Sequence, residues 1–228
     1  MITTRGVGVV DVLGRYDVLG AFWVTIQLAV LAALGSLVLG AVVATMRVSP
    51  VRVLRFIGAA YVNIVRNTPL TLLMVFSILG ATFILGLQLS SATGSNIFRW
   101  AVVMLSVYHG AFVCEALRSG INTVPHGQAE AARSIGLTFG QSLRQVILPQ
   151  AFRGAVAPLG STLIALIKNT TVAAVIGATE AAGLLQEIVE NETGTLAVFM
   201  IFAIGFVLLT LPVGIGFTAL SRRLAVRR

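Results

Sequence analysis

The chain has 228 residues, 57% hydrophobic and 11% charged, a balance that a soluble domain of this size could not keep in solution. Sixteen Lys and Arg against eight Asp and Glu give a formal charge of +8, yet a mean hydropathy of +0.97 argues against nucleic-acid binding, which needs a polar surface around its basic patch. One cysteine, Cys114, and two histidines, His109 and His126, exclude an internal disulfide, a Cys-rich zinc site, an iron–sulfur cluster held by this chain alone and a multi-His metal centre.

A helix that crosses a bilayer needs about 20 apolar residues, and five such stretches are expected, giving an all-α integral membrane fold. Val18 to Met46 is the first, free of charge for 29 residues, enough for one tilted helix and too short for two. It is also too long for a signal-peptide core and is read as part of the mature protein. Leu70 to Leu89 is the second, Ile97 to Cys114 the third, Ala155 to Thr179 the fourth and Leu196 to Leu220 the fifth. With no low-complexity stretch and no clear internal repeat, residues 1–228 read as a single transmembrane domain, and an inverted-repeat secondary transporter is not supported.

Loops kept in the cytoplasm collect Lys and Arg. Twelve bases fall on one side: Arg47, Arg52, Arg55 and Arg66; Arg118, Arg133, Arg144 and Arg153; Arg222, Arg223, Arg227 and Arg228. The other side has three, Arg5, Arg15 and Arg99, with six of the eight acids: Asp11, Asp17, Glu180, Glu187, Glu190 and Glu192. This predicts a multi-pass protein of the cell membrane with its amino terminus outside and its carboxyl terminus in the cytoplasm. Contact of the bases with anionic lipid is a secondary effect.

The one long cytoplasmic segment, about 118–153, exceeds what a simple helix connection requires. Gly127 to Gly136 reads as a short helix of good formers stopped by glycine, and Phe139, Leu143 and Val146 to Leu148 as a second one closed by Pro149. Such a pair is either a docking surface for a soluble partner or two amphipathic helices lying on lipid.

In this loop Glu130-Ala131-Ala132 is followed by three residues, Gly136, nine residues, Val146, one residue and Leu148-Pro149. This resembles the EAA motif of the permease subunits of ATP-binding-cassette importers, with Val146 where the motif has Ile. The resemblance runs from Phe22 to about Leu224 and is closest to the five-span polar amino-acid uptake branch, with the general look of glutamate permeases. Arg66-Asn67-Thr68-Pro69-Leu70 resembles that branch's Arg-x-Thr-Pro segment, Glu115 to Ile121 the stretch leading into its loop, and Lys168-Asn169-Thr170-Thr171 its Leu-Lys-x-Thr-Ser stretch. The resemblance implies ATPase subunits docked on the loop, a second permease chain, identical or paralogous, and an extracytoplasmic solute-binding protein. It implies no cofactor on this chain: with no Gly-x-x-x-x-Gly-Lys-Ser/Thr loop, ATP is used by the partner, and the chain is not itself an enzyme.

Polar residues within the spans carry the remaining expectations. A lone base such as Lys168 costs about 2.5–3.5 kcal/mol at a span centre. It either lines a polar cavity with Asn169, Thr170 and Thr171 and meets a substrate carboxylate, or pairs with Glu115, or snorkels. Pro69 lacks an NH and biases Thr68 away from helix, so Arg66 and Thr68 mark either a substrate-facing break near the cytoplasmic end of span two or a boundary after an interfacial helix, Phe56 to Val65. Glu115 is either a ligand or the ion-pair partner of Arg118. Cys114 reads as a packing residue, and Gly205, Pro212, Gly214 and Gly216 as close-packing or kink positions. A membrane-embedded enzyme lacks a Gly-x-Ser-x-Gly turn or paired His ligands, and an ion channel lacks a carbonyl-lined filter sequence.

Overall fold

The computed structural model describes residues 14–192 and 196–224; Arg5, Asp11, Arg227 and Arg228 of the charge pattern lie outside them. The described residues are helical, with no strand among them. They fall into two compact units, one of 14–35, 68–106 and 165–211, the other of 36–67, 107–164 and 212–224. Four helices are long and apolar enough to cross a membrane, five crossings in all if a bent pair counts as one.

Helix α1, Val18–Val48, begins where the Asp17 carboxylate accepts the Gly20 amide (2.8 Å) and ends with Arg47 in its last turn, where the helix dipole favours a cation. Its 31 residues rise about 46 Å, more than the roughly 30 Å of hydrocarbon, so it tilts or protrudes. Helix α2, Arg52–Arg66, is amphipathic, and its buried stripe of Gly58, Val62 and Val65 turns inward while Phe56 and Ile64 stay exposed. Val62 and Val65 pack on Val43 and Ala44 of α1, and Gly58 sits against the Arg47 stem. The helix therefore folds back along α1 and does not lead away from it.

Asn67 closes α2, its Nδ2 donating to the Asn63 carbonyl (2.7 Å), and across Thr68-Pro69 the chain bends by 99° into α3, Leu70–Val75. This helix continues as a π-helical stretch, Phe76–Ile84. The expected span to Leu89 thus stops at Ile84. Gly86 adopts φ +67°, and the freed backbone groups of Leu89 are taken by the Asn96 carbonyl oxygen (2.8 Å) and the Arg99 guanidinium. Helix α4, Thr93–Asn122, outruns the expected Ile97 to Cys114 at both ends.

After α5, His126–Ser134, and the one-turn α6, Phe139–Ser142, a π turn Leu143–Ile147 runs straight into α7, Leu148–Asn169, and then a 3₁₀ segment, Thr170–Ile176. Pro149 does not close the second short helix as its sequence suggests. It lies two residues past the end of a π turn, whose widened hydrogen-bonding pattern relieves the clash of a proline ring with the preceding turn. What reads as a second independent helix is the first part of the penultimate span. Helix α8, Ala181–Asn191, and helix α9, Leu196–Leu224, complete the chain.

In the first unit Val18 packs with Ala181, Ile188, Val198 and Phe202, and Gly205 leaves room for the Phe22 ring. In the second, Ala155 and Leu159 pack with Val113 and Ala116, and Cβ atoms at Gly40 and Gly160 would lie 2.5 Å from the side chains of Val113 and Phe217. Close approach at small residues is the packing mode available where lipid removes the hydrophobic drive between helices. Gly214 is also near a neighbour, 3.4 Å from Ile164, whereas Gly216 faces open space. Cys114 is fully buried among apolar neighbours, as a packing residue should be.

Candidate functional site

Three clusters of polar or motif residues emerge, the first in the loop. Helix α5 ends in a Schellman arrangement: the Gly136 amide donates to Arg133 (2.9 Å) and the Leu137 amide to Ala132 (3.1 Å), with Gly136 at φ +85°. Two residues on, Thr138 caps α6 in a reciprocal box with Gln141, its amide donating to Oε1 (2.9 Å) while the Gln141 amide donates to its hydroxyl (3.4 Å). The sequence shows this box as Thr-x-x-Gln, the spacing of a helix start. Gln150 of α7 donates to Gln128 of α5 (3.4 Å), and α5 packs on the π turn.

The loop residues then separate by exposure. Ala132 is buried and Val146 half-buried, so they hold the shape; Glu130, Ala131, Arg133, Leu148 and Pro149 are exposed, with Ile135 and Phe139 beside them at 78% and 58%. Two large apolar side chains presented around a charged rim on a turn with fixed geometry make a face suited to a protein partner.

The second cluster surrounds Glu115. Its carboxylate pairs with Arg47 at the end of α1 and, at 3.4 Å, with Arg118 one turn on. The pair with Arg118 matches expectation, but the pairing of Lys168 with Glu115 is replaced by one with Arg47. Parallel packing of α1 on α4, with Gly40 against Val113 and Ala44 beside Cys114, brings Arg47 level with Glu115. Register between two helices is absent from single-helix periodicity, which is why Arg47 was not singled out. Nearby, Arg66 lies over the Phe112 ring (5.3 Å to the centroid), and the rings of Tyr108, His109 and Phe112 meet one another at tilted and edge-on angles. Because α2 returns along α1, Arg66 stands at the 99° break and beside the interior of α4.

The third cluster is the end of α7. Lys168 is exposed in the last turn, where the dipole favours a cation, and its carbonyl accepts the Thr171 hydroxyl (2.8 Å). Thr170 is buried and donates to Ile167 (2.7 Å); Asn169 is half-buried. There the helix tightens to 3₁₀ and stops at Gly177, φ +83°, and α3, which follows Thr68-Pro69, packs on this tightened segment. Both stretches are broken helices, which offer backbone groups that an intact helix would consume.

Beyond Gly177, Glu180 is fully buried and caps α8, accepting the amides of Ala182 and Gly183 (2.9 Å each) and the Thr25 hydroxyl (3.4 Å). Burial pushes its carboxyl above the ordinary value of 4.5, and the three donors only partly oppose this. A folded-state pKa above the unfolded one means the ionised form costs stability: the cost is absent below about 4.5 and appears as pH rises through the shifted value. Glu180→Gln should therefore flatten the pH dependence of thermal unfolding, while Glu180→Ala should lose about 1–2 kcal/mol in the acid range, where the carboxyl is neutral, by removing the cap. Equal unfolding temperatures for the Ala variant and the wild type would contradict the capping role. Among the described residues no group of three or more His, Cys, Asp or Glu could hold a metal ion.

With this geometry in place, comparison with known proteins is direct. The model of the family described as "Binding-protein-dependent transport system inner membrane component" matches residues 36–226. The chain is 53% identical over 218 residues to the glutamate transport system permease protein GluC of Corynebacterium glutamicum, covering 93% of this chain and 96% of that one. It is 36% identical over 206 residues to the probable glutamine ABC transporter permease protein GlnM of Bacillus subtilis, covering 89% and 91%. A crystal structure of an amino acid ABC transporter with histidines superposes with a TM-score of 0.83 at 25% identity, over 95% of this chain and 99% of the other.

Proposed function

The chain belongs to the binding-protein-dependent transport system inner membrane components, the permeases of ATP-binding-cassette importers, and on that basis we propose that it carries glutamate or a closely related polar amino acid. Permeases of this family are non-enzymatic, and hydrolysis belongs to a partner ATPase. The observation that carries the substrate is the 53% identity to a glutamate permease over nearly the whole chain. Stimulation of ATP hydrolysis in the reconstituted complex, tested across amino acids with the cognate solute-binding protein, checks it. Glutamate should stimulate most, and a maximum with a cationic amino acid would overturn the assignment.

In this reading the exposed face built from Glu130, Ala131, Leu148 and Pro149 docks on the ATPase, with Ala132, Gly136 and Val146 fixing its shape. Closure of the ATPase dimer pulls α5, and the π turn passes the movement into α7. The loop faces the cytoplasm with the carboxyl terminus, and the amino terminus lies outside. Cysteine labelling in sealed cells should reach position 190 from outside and position 140 only from inside; labelling of both from one side would refute this orientation. A second permease chain, ATPase subunits and an extracytoplasmic solute-binding protein complete the assembly.

The substrate pathway takes the two helix breaks. Arg66 and Thr68 lie at one; Lys168, Asn169, Thr170 and Thr171 at the other; Glu115 contributes indirectly, by holding Arg47. Lys168 is exposed and has no carboxylate partner among the described residues, so its charge is available to a substrate carboxylate. Lys168→Met should keep the yield of complex, since the change makes the helix more apolar, and should depress glutamate uptake more than glutamine uptake. Equal loss for both substrates would argue against contact with the side-chain carboxylate.

A further inference from the structure

At the end of α2, within the second unit, Asn63, Arg66 and Asn67 share one exposed face. The Arg66 guanidinium lies over the ring of Phe112, 5.3 Å from its centroid, and Phe112 stands about 15 Å from the nearer end of the spanning helix α4. A cation and two amides at that depth are costly against hydrocarbon, so this face borders water or a polar solute and not lipid chains. Arg66 has no carboxylate partner among the described residues.

The ring beneath Arg66 is itself held in place. Its centroid lies 5.1 Å from that of half-buried Tyr108 and 5.9 Å from that of buried His109, and Tyr108 and His109 meet edge-on at 5.3 Å. A guanidinium set over an aromatic face keeps its N–H edges free, and those edges form the fork that takes a carboxylate bidentately. An exposed arginine without such a rest samples many rotamers, and ordering them on binding weakens the contact. We propose that Phe112 is a positioning residue, which holds Arg66 so that its guanidinium binds a carboxylate of the amino acid in transit. The proposal rests on the reading that this chain carries an amino acid, and it supplies the means by which one pathway residue is oriented. The α-carboxylate and the side-chain carboxylate of glutamate offer the fork the same chemistry, and substrates with one or both of them tell the two apart.

The test is a double-mutant cycle on uptake of glutamate and of glutamine by the reconstituted permease–ATPase complex with its solute-binding protein, each rate normalised to the complex recovered. Arg66→Gln should lower uptake by at least about tenfold, the loss expected for a hydrogen-bonded contact to a charge. An equal loss for both substrates assigns the α-carboxylate to Arg66, and a loss confined to glutamate assigns the side chain. Phe112→Leu should lower uptake about two- to fivefold, and Phe112→Tyr, which keeps an aromatic face, should stay near the wild type. In the Arg66→Gln background Phe112→Leu should cause no further loss, because the ring acts only through the arginine; a purely structural role would add its full effect there. Phe112→Met replaces Phe112→Leu in the cycle should the latter fail to assemble. Undiminished uptake of both substrates by Arg66→Gln, or additive losses in the double variant, would overturn the proposal while leaving amino-acid transport in place. A wild type that takes up no amino acid would remove the underlying reading and this one with it, and is distinguished by the silence of the wild type itself.

Discussion

Gly136→Val is expected to reduce ATP-driven uptake by about 5–30-fold while the protein still reaches the membrane, because a β-branched residue at φ +85° costs about 1–2 kcal/mol of backbone strain. The substitution isolates conformation from crowding: no atom lies within 4 Å of a Cβ at this position. Strain is relieved by unwinding the Schellman turn, which frees the carbonyls of Ala132 and Arg133 and displaces Ile135 and Phe139, the exposed apolar side chains beside the proposed docking face. Gly136→Asn provides the control, since asparagine visits the left-handed region and should recover much of the activity. Uptake by Gly136→Val equal to that of the wild type would mean that the loop's turn geometry is irrelevant to coupling.

Glu115→Ala should be the most destabilising change among the exposed or half-buried charges. It strands Arg47, whose side chain is only 15% exposed and has no other carboxylate among the described residues. Losing one partner of a buried pair costs about 3–5 kcal/mol; with Glu115 itself 25% exposed, the expected loss is nearer 2–3 kcal/mol. Arg118→Ala, which removes a longer contact made by a side chain 41% exposed, should cost no more than about 1 kcal/mol. The double change Arg47→Met with Glu115→Leu should recover most of the loss, since matched apolar side chains avoid the desolvation of both charges. Thermal unfolding of the purified complex in detergent reads all three variants against the wild type. If Glu115→Ala and Arg118→Ala prove equally mild, the Arg47 pair does not fasten α1 to α4.

Much of this architecture is legible in the sequence, and the parts that are not share a cause. Charge-free runs mark the long helices because hydrocarbon forbids charges, and Gly136 marks the loop's turn because few residues tolerate its backbone. Apolar runs do not report direction, so the return of α2 along α1, and with it the placement of Arg66 beside Phe112, appears only once Gly58, Val62 and Val65 are seen to face Val43 and Arg47. The Arg47–Glu115 pair and the cap that buries Glu180 depend likewise on register and tertiary contact. Pro149 misleads for a local reason: the rule that proline ends helices presumes an α-helical preceding turn, and here that turn is π. The Thr138 box was available to inspection, and its Gln141 lay within the stretch already read as helical.

The central proposal is that this chain moves glutamate only under the drive of a separate ATPase. Radiolabelled glutamate flux across proteoliposomes, measured with and without the ATPase subunit, ATP and the solute-binding protein, tests it most directly. Concentrative transport should require all three components and collapse when any is omitted. Passive glutamate flux through the permease alone, unaffected by ATP, would contradict the account and favour a channel.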